Sequence, residues 1–448
     1  MNAPQRLLAM SLAVAAAFAA AAGPAQAQSL SALVEQARGY DAAWQAAQAQ
    51  LQAAASRAEQ ARAGLLPSAG LTAGVNYSRS DVTRPPLPDV TVNGPTQTAG
   101  LQASQPLYRP ANRIGYEQGQ RGMDLAGAQL DAAEQDLLVR VSQAYFDVLG
   151  AQDTLAFVRA QKAAVAEQWA AAKRNFEVGT ATVTDQREAK ARHDLVSAQE
   201  IAADNDLHVK RLALDQIVGR TGSSPLPLAQ PVHLSEVQPG DVGHWVRNAE
   251  EQQPLVRQAA MALDVARLET DKAKTGHLPT VDLQASYGIQ RTPNGTVLMP
   301  GINSRTNVAS VGVALNLPLF AGFAVQNRIK ETLSLEDKAR ADLDNARRSA
   351  AQATRAAFFG VQSGLSQVSA LQAAEDSSQS ALDANLLGYK VGVRVNIDVL
   401  NAQSQLYQTK RDLAMARYNV LVGTLRLKQA AGTLTSADVT AVDALLAR

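Results

Sequence analysis

The chain has 448 residues, 42 basic and 41 acidic side chains, a formal net charge of +1 and only 4 % aromatic residues. That balance excludes a strongly basic nucleic-acid groove, and the absence of cysteine excludes disulfides, thiolate metal sites and a cysteine nucleophile. Ala and Gln are abundant, which favours long helices over bulky cores.

The N-terminus reads as an export signal. Arg6 is a positive flank, Leu7 to Ala22 is almost unbroken apolar sequence, and Ala25-Gln26-Ala27 is a small-x-small cleavage site. The apolar run is short for a spanning helix, which needs about 20 residues. Residues 1–27 are therefore expected to be a signal peptide. No later run is apolar enough to span a bilayer as a helix, so any membrane insertion falls to β-strands.

The remainder is written twice at an offset of about 212 residues. Leu66-Pro67-Ser68 returns as Leu278-Pro279-Thr280, and Gln105-Pro106-Leu107-Tyr108 as Leu317-Pro318-Leu319-Phe320. Phe176-Glu177-Val178-Gly179 returns as Tyr389-Lys390-Val391-Gly392. The expected divisions are a first repeat over 28–222, a Pro-rich linker over 223–243, a second repeat over 244–435 and a C-terminal tail over 436–448.

Each repeat opens with a predicted helix, Ser31 to Leu65 and Val242 to Lys274, stopped at Leu-Pro. A strand pair follows, about 70–107 and 280–320. Leu71, Ala73, Val75 and Tyr77 alternate with Thr72, Gly74, Asn76 and Ser78; Val311, Val313 and Leu315 alternate with Ser310, Gly312, Ala314 and Asn316. This period suits a membrane barrel. It suits a half-buried sheet in a soluble domain equally well, and the export signal tips the balance to the barrel. Loops with Pro85, Pro86, Pro88 and Pro95, and with Pro293, Gly295, Pro300 and Gly301, read as exposed tips. Tyr108, Phe320 and Phe323 stand where strand turns to helix, suited either to an aromatic belt or to junction packing.

Each repeat ends in a helical hairpin. Asn112 to Glu177 and Val325 to Lys390 lack proline, and each would span about 100 Å. Val-Gly turns at Gly179 and Gly392 lead into returning helices, Thr184 to Val218 and Ile397 to Lys428. Asp185 and Asp398 fall in the first turns of those helices, where an acid suits the dipole whatever else it does. Four strands cannot close a barrel, so membrane insertion requires several copies; three give twelve strands and a lumen.

These landmarks resemble the TolC family of outer-membrane efflux and secretion ducts. The most specific stretch is Gly388-Tyr389-Lys390-Val391-Gly392-Val393-Arg394-Val395-Asn396-Ile397-Asp398-Val399-Leu400-Asn401-Ala402, with Val178 to Asp185 as its first-repeat partner. The resemblance implies an α+β, mostly helical chain in a homotrimer. That trimer would form a shared 12-stranded transmembrane β-barrel, four strands per protomer, and a long periplasmic α-helical barrel. It implies a passive duct, not an enzyme, in the Gram-negative outer membrane. Its partners would be outer-membrane lipid, a periplasmic adaptor (membrane fusion) protein and an inner-membrane RND, ABC or MFS-type transporter. No cofactor, metal or nucleic acid is implied. It further implies a pore constriction at Asp398 and Asn401, the latter a departure from the acid often found there. It places a gate latch at Asp185, Thr184, Tyr389 and Arg394, with Arg394 reaching Asp185 of a neighbouring subunit and Tyr389 bonding Asp185 of its own. The competing expectation is a periplasmic adaptor or coiled-coil structural protein of an export assembly. An enzyme is disfavoured, since His193, His208, His233, His244 and His277 show no metal-ligand spacing and no nucleotide or nucleophile motif occurs.

Overall fold

The computed structural model describes residues 28–229, 231–232 and 234–447. The expected signal peptide and His233 lie outside them. The chain divides into two compact units. One comprises the residues up to 47 with Leu130–Val256 and those from Arg347 onward; the other comprises Gln48–Gln129 and Arg257–Ala346.

In chain order the elements are α1 (Leu30–Tyr40), α2 (Ala42–Ala63), β1 (Ser68–Arg84), β2 (Leu87–Tyr108), α3 (Pro110–Glu177), α4 (Val183–Val218), α5 (Val242–Gln252) and α6 (Pro254–Lys274). Then follow β3 (Thr280–Thr292), the short strands β4 (Gly295–Thr296) and β5 (Met299–Pro300), β6 (Ser304–Asn316), α7 (Ala324–Lys390), α8 (Asn396–Ala430) and α9 (Ser436–Asp443). No helix among the described residues is long and apolar enough to cross a membrane.

The helix expected over Ser31 to Leu65 is broken at Asp41, and that expected over Val242 to Lys274 at Gln253. The two breaks occupy the same place in the repeat. Asp41 (φ −61°, ψ 118°) and Gln253 (φ −61°, ψ 127°) are both extended, and their carbonyl-bearing side chains accept from Trp44 N at 2.8 Å and Val256 N at 3.1 Å. Pro254 enforces the second break; a capping aspartate makes the first. The ends of the returning hairpin helices close on these breaks. A Cβ on Gly219 would lie 2.1 Å from the Tyr40 ring, and one on Gly432 would lie 2.5 Å from the Gln253 backbone. Both glycines also take positive φ, so no other residue fits.

The core of the first unit gathers Tyr145, Phe146 and Leu149 of α3, Leu214 and Val218 of α4, Tyr418, Leu421 and Leu425 of α8, Leu30 and Leu33 of α1, and Val439 of α9. Each such side chain contributes about 1.5–3 kcal/mol of burial. The buried Tyr145 hydroxyl donates to Leu226 O at 2.9 Å, which fastens the linker to the core. That linker also pairs with the first and last described segments: Leu226 N donates to Gln28 O (3.1 Å) and Ala229 N to Leu445 O (2.9 Å). The segment expected as a tail is thus a structured element. Its helix α9 has a capping box of Thr435 and Asp438, and Asp443 accepts from Leu30 N and Ser31 N.

In the second unit β1, β2, β3 and β6 form one antiparallel sheet in the order β1-β2-β3-β6. The first strand pair runs further toward its tip than expected, with Pro88 and Pro95 inside β2. On the β3 side Pro88 and Pro95 break no ladder, because β3 pairs with β2 only from Gln97 onward. Pro85 and Pro86 form the turn itself.

Candidate gate and membrane-facing sheet

The register of the four strands sorts their side chains onto two unlike faces. Leu71, Leu101, Tyr287 and Ala309 stand in one row, Ala69, Ala103, Ala285 and Val311 in the next, and Leu283 beside Val313 beyond it. The alternate rows are small and polar: Ser68, Ser104, Gln284 and Gly312; then Gly70, Gln102, Ser286 and Ser310. Ser286 and Ser310 hydroxyls meet at 2.8 Å across the polar face. On the apolar face Leu71 is 77 % and Val311 78 % exposed, a whole surface of aliphatic side chains on an isolated chain. A soluble half-buried sheet covers such a face; among the described residues no element does. Among the described residues the outer edges of β1 and β6 also have no partner strand. Phe320 and Phe323 pack edge to face, centroids 5.5 Å apart, and stay exposed, as does Tyr108.

In the first unit the hairpin turns are built alike. Thr180 N donates to Asn175 O (2.8 Å) and Gly179 N to Phe176 O (3.0 Å); Val393 N donates to Gly388 O (2.9 Å) and Gly392 N to Tyr389 O (3.1 Å). Both are Schellman turns, and Gly179 (φ 81°) and Gly392 (φ 80°) supply their left-handed residue. Behind the turns, Val165 and Ala172 of α3, Ala189 of α4 and Leu400 of α8 are fully buried together, with Trp169 and Ile397 against them. Leu382 of α7 packs on Val399 and Leu406 of α8, with Leu386 and Tyr389 alongside. Helix α8 is thus held from both sides.

The first turns of the returning helices differ. Thr182 caps α4 and forms a reciprocal capping box with Asp185: Asp185 N donates to Thr182 Oγ1 (3.2 Å) and Thr182 N to Asp185 Oδ2 (2.9 Å). At the matching place α8 has Val395, which cannot cap. Asp398 is left facing Arg394 at 3.6 Å and stays partly exposed. The expected bond from Tyr389 to Asp185 of the same protomer is not made among the described residues; instead Asn175 Nδ2 donates to the Tyr389 hydroxyl at 3.3 Å. Asp185 is occupied by its own cap, which explains the difference. Thr184 lies exposed in the first turn of α4, beside that box. Asn401, one turn beyond Asp398, accepts from Arg192 Nη2 at 2.8 Å. The Thr182-to-Asp185 box is legible as a Thr-x-x-Asp pattern. The Asn175–Tyr389 and Arg192–Asn401 bonds join residues more than two hundred positions apart, and nothing local signals them.

A four-stranded sheet with one apolar and one polar face, written between paired helical hairpins in two repeats, defines the protomer of a membrane duct. The profile of the outer membrane efflux protein family matches residues 33–220 and 245–433, one match per repeat. The chain is 33 % identical to the outer membrane protein TolC of Vibrio cholerae over 431 residues, 96 % of this chain and 97 % of that one. It is 31 % identical to the alkaline protease secretion protein AprF of Pseudomonas aeruginosa, over 86 % of this chain and 80 % of that one. Its fold superimposes on the outer membrane protein VceC of Vibrio cholerae with a TM-score of 0.77 at 20 % identity, covering 90 % of this chain and 96 % of that one. On the open state of the Neisseria gonorrhoeae MtrE channel the TM-score is 0.74 at 21 % identity, covering 90 % and 89 %. The chain belongs to the outer membrane efflux protein family. It is an exit duct of the Gram-negative outer membrane with a large periplasmic part, and the periplasmic adaptor reading is set aside.

Proposed function

We propose that three copies close their sheets into a twelve-stranded barrel and their hairpins into a periplasmic helical tube, which opens and closes at the hairpin turns. The observation that carries this is the sheet itself: its apolar face is uncovered and its two edges are unpaired. In hydrocarbon each unsatisfied edge group costs several kcal/mol, which closure with further copies removes. The small polar residues of the opposite face then line a wet lumen.

At the periplasmic end, the α7–α8 hairpins converge and the Asp398 carboxylates ring the constriction, with Asn401 one turn further along the same face. Tyr389 holds its hairpin to Asn175 within the protomer, and Arg394 is placed to exchange Asp398 for Asp185 and Thr184 of a neighbouring protomer. The chain carries out no reaction. It passes what an inner-membrane RND, ABC or MFS-type transporter and its adaptor deliver. AprF and PrtF, relatives named for protease secretion, support polypeptide cargo, and BepC of Brucella suis, named an outer membrane efflux protein, supports an efflux role.

Single-cysteine labelling tests the barrel, since the chain has no cysteine of its own. In liposomes, Leu71→Cys should react only with a membrane-soluble maleimide and Gly70→Cys with a charged aqueous one, and the purified particle should have the mass of three chains. Equal aqueous reactivity of both positions, or a monomer mass, would remove the proposal.

A further inference from the structure

The bond between Arg192 and Asn401 joins α4 to α8 within one protomer. Among the described residues it is the one side-chain hydrogen bond that either group makes. A guanidinium has donors only, and a neutral amide oxygen satisfies one of them without cancelling its charge. Arg192 therefore brings its positive charge to Asn401, which lies one helical turn along α8 from Asp398, whose own carboxylate faces Arg394 at 3.6 Å.

We propose that Arg192 is a selectivity-determining residue of the constriction, offsetting the Asp398 carboxylates so that multivalent cations are held weakly there. The inference rests on the reading of Asp398 and Asn401 as pore-lining. At position 401 an amide and a carboxylate differ in how they use Arg192. The amide leaves the cation free to oppose the carboxylate ring. A carboxylate would tie Arg192 into a bidentate ion pair and remove its opposition to the Asp398 ring.

The test is block of single-channel current by La³⁺ added from the periplasmic side of a planar bilayer. Asn401→Asp should be blocked at lower La³⁺ concentrations than wild type, because Arg192 no longer opposes the Asp398 ring. The Arg192→Gln/Asn401→Asp double variant should be blocked at least about tenfold more tightly, a factor equivalent to 1.4 kcal/mol. Tight block in Asn401→Asp alone, equal to that of the double variant, overturns the proposal. If variants carrying Arg192→Gln fail to assemble, block of Asn401→Asp unchanged from wild type overturns the proposal. Asp398→Asn separates the two layers. If it leaves cation selectivity unchanged, the pore reading fails and the Arg192 role falls with it. If it removes selectivity while the double variant blocks no better than Asn401→Asp, only the Arg192 role fails.

Discussion

Asp185 and Asp398 are counterparts in the two hairpins, yet Asp185 is closed into a capping box with Thr182 while Asp398, among the described residues, faces only Arg394, 3.6 Å away. The difference turns on one residue, since Val395 stands where the first repeat has Thr182. A capped aspartate is a helix start. An uncapped one is available to a pore.

Restoring the missing cap should therefore convert one behaviour into the other. Val395→Thr is expected to draw Asp398 into a capping box, stabilise the second turn by about 1 kcal/mol and reduce the cation selectivity of the channel. Thr182→Ala should destabilise the first turn by about 1 kcal/mol. Hydrogen exchange at the two turns and the reversal potential in a salt gradient are the measurements; unchanged selectivity in Val395→Thr would contradict the pore role of Asp398.

Deeper in the helical unit, the Tyr418 hydroxyl donates to Asp153 Oδ2 at 2.6 Å, and its ring stacks on Phe146 at 5.6 Å. Burial pushes the Asp153 carboxyl up, and the Tyr418 bond partly offsets that rise. A raised pKa means that the group's stabilising contribution is present at low pH and lost as pH climbs through the folded value. Tyr418→Phe removes the compensating bond and should cost about 1.5–3 kcal/mol at neutral pH, with part of the loss recovered on acidification. Asp153→Asn in the same background should restore much of it. Thermal melts of the detergent-solubilised protein at two pH values read both effects.

The break between α1 and α2 responds to pH in the opposite sense. Hydrogen bonding to Arg140, at 2.9 and 3.2 Å, holds the Asp41 carboxyl below its usual value against the opposing effect of burial. Its contribution is complete above the unfolded carboxylate range and is lost as pH falls through the lower folded value. Arg140→Ala should cost about 2 kcal/mol at neutral pH and progressively less below about pH 4. A cost independent of pH would show that the pair does not carry the effect.

The two faces of the sheet should tolerate charge unequally. Val311→Arg places a cation on the apolar face and is expected to cost about 2–4 kcal/mol near the bilayer midplane, enough to deplete assembled protein in the outer membrane. Ser310→Arg, on the polar face, should insert and instead change conductance. Fractionation with a heat-modifiability gel separates the outcomes, and equal tolerance would argue against a lipid-facing surface.

Much of this architecture was legible because it is periodic. Alternation from Val311 to Leu315, the Leu-Pro stops at Pro67 and Pro279, and the Val-Gly turns at Gly179 and Gly392 are local signals with local causes. The break at Asp41 was hidden, because Ala-rich sequence continues unchanged on both sides of a single capping carboxylate. Its counterpart was announced only by Pro254. The helix after Thr435 carries a Thr-x-x-Asp box that a capping search would find. Site contacts were the least legible: Asn175 meets Tyr389, and Arg192 meets Asn401, only because two hairpins pack side by side. No spacing within either hairpin encodes that.

The most direct test of the gated duct is single-channel conductance in a planar bilayer, comparing the native protein with Arg394→Ser/Tyr389→Phe. A gated duct predicts small discrete steps from the native trimer and clearly larger ones from the variant, whose hairpins have lost their fastenings. Steps of equal size would contradict the gate at these turns, and the absence of steps from assembled protein would contradict the duct.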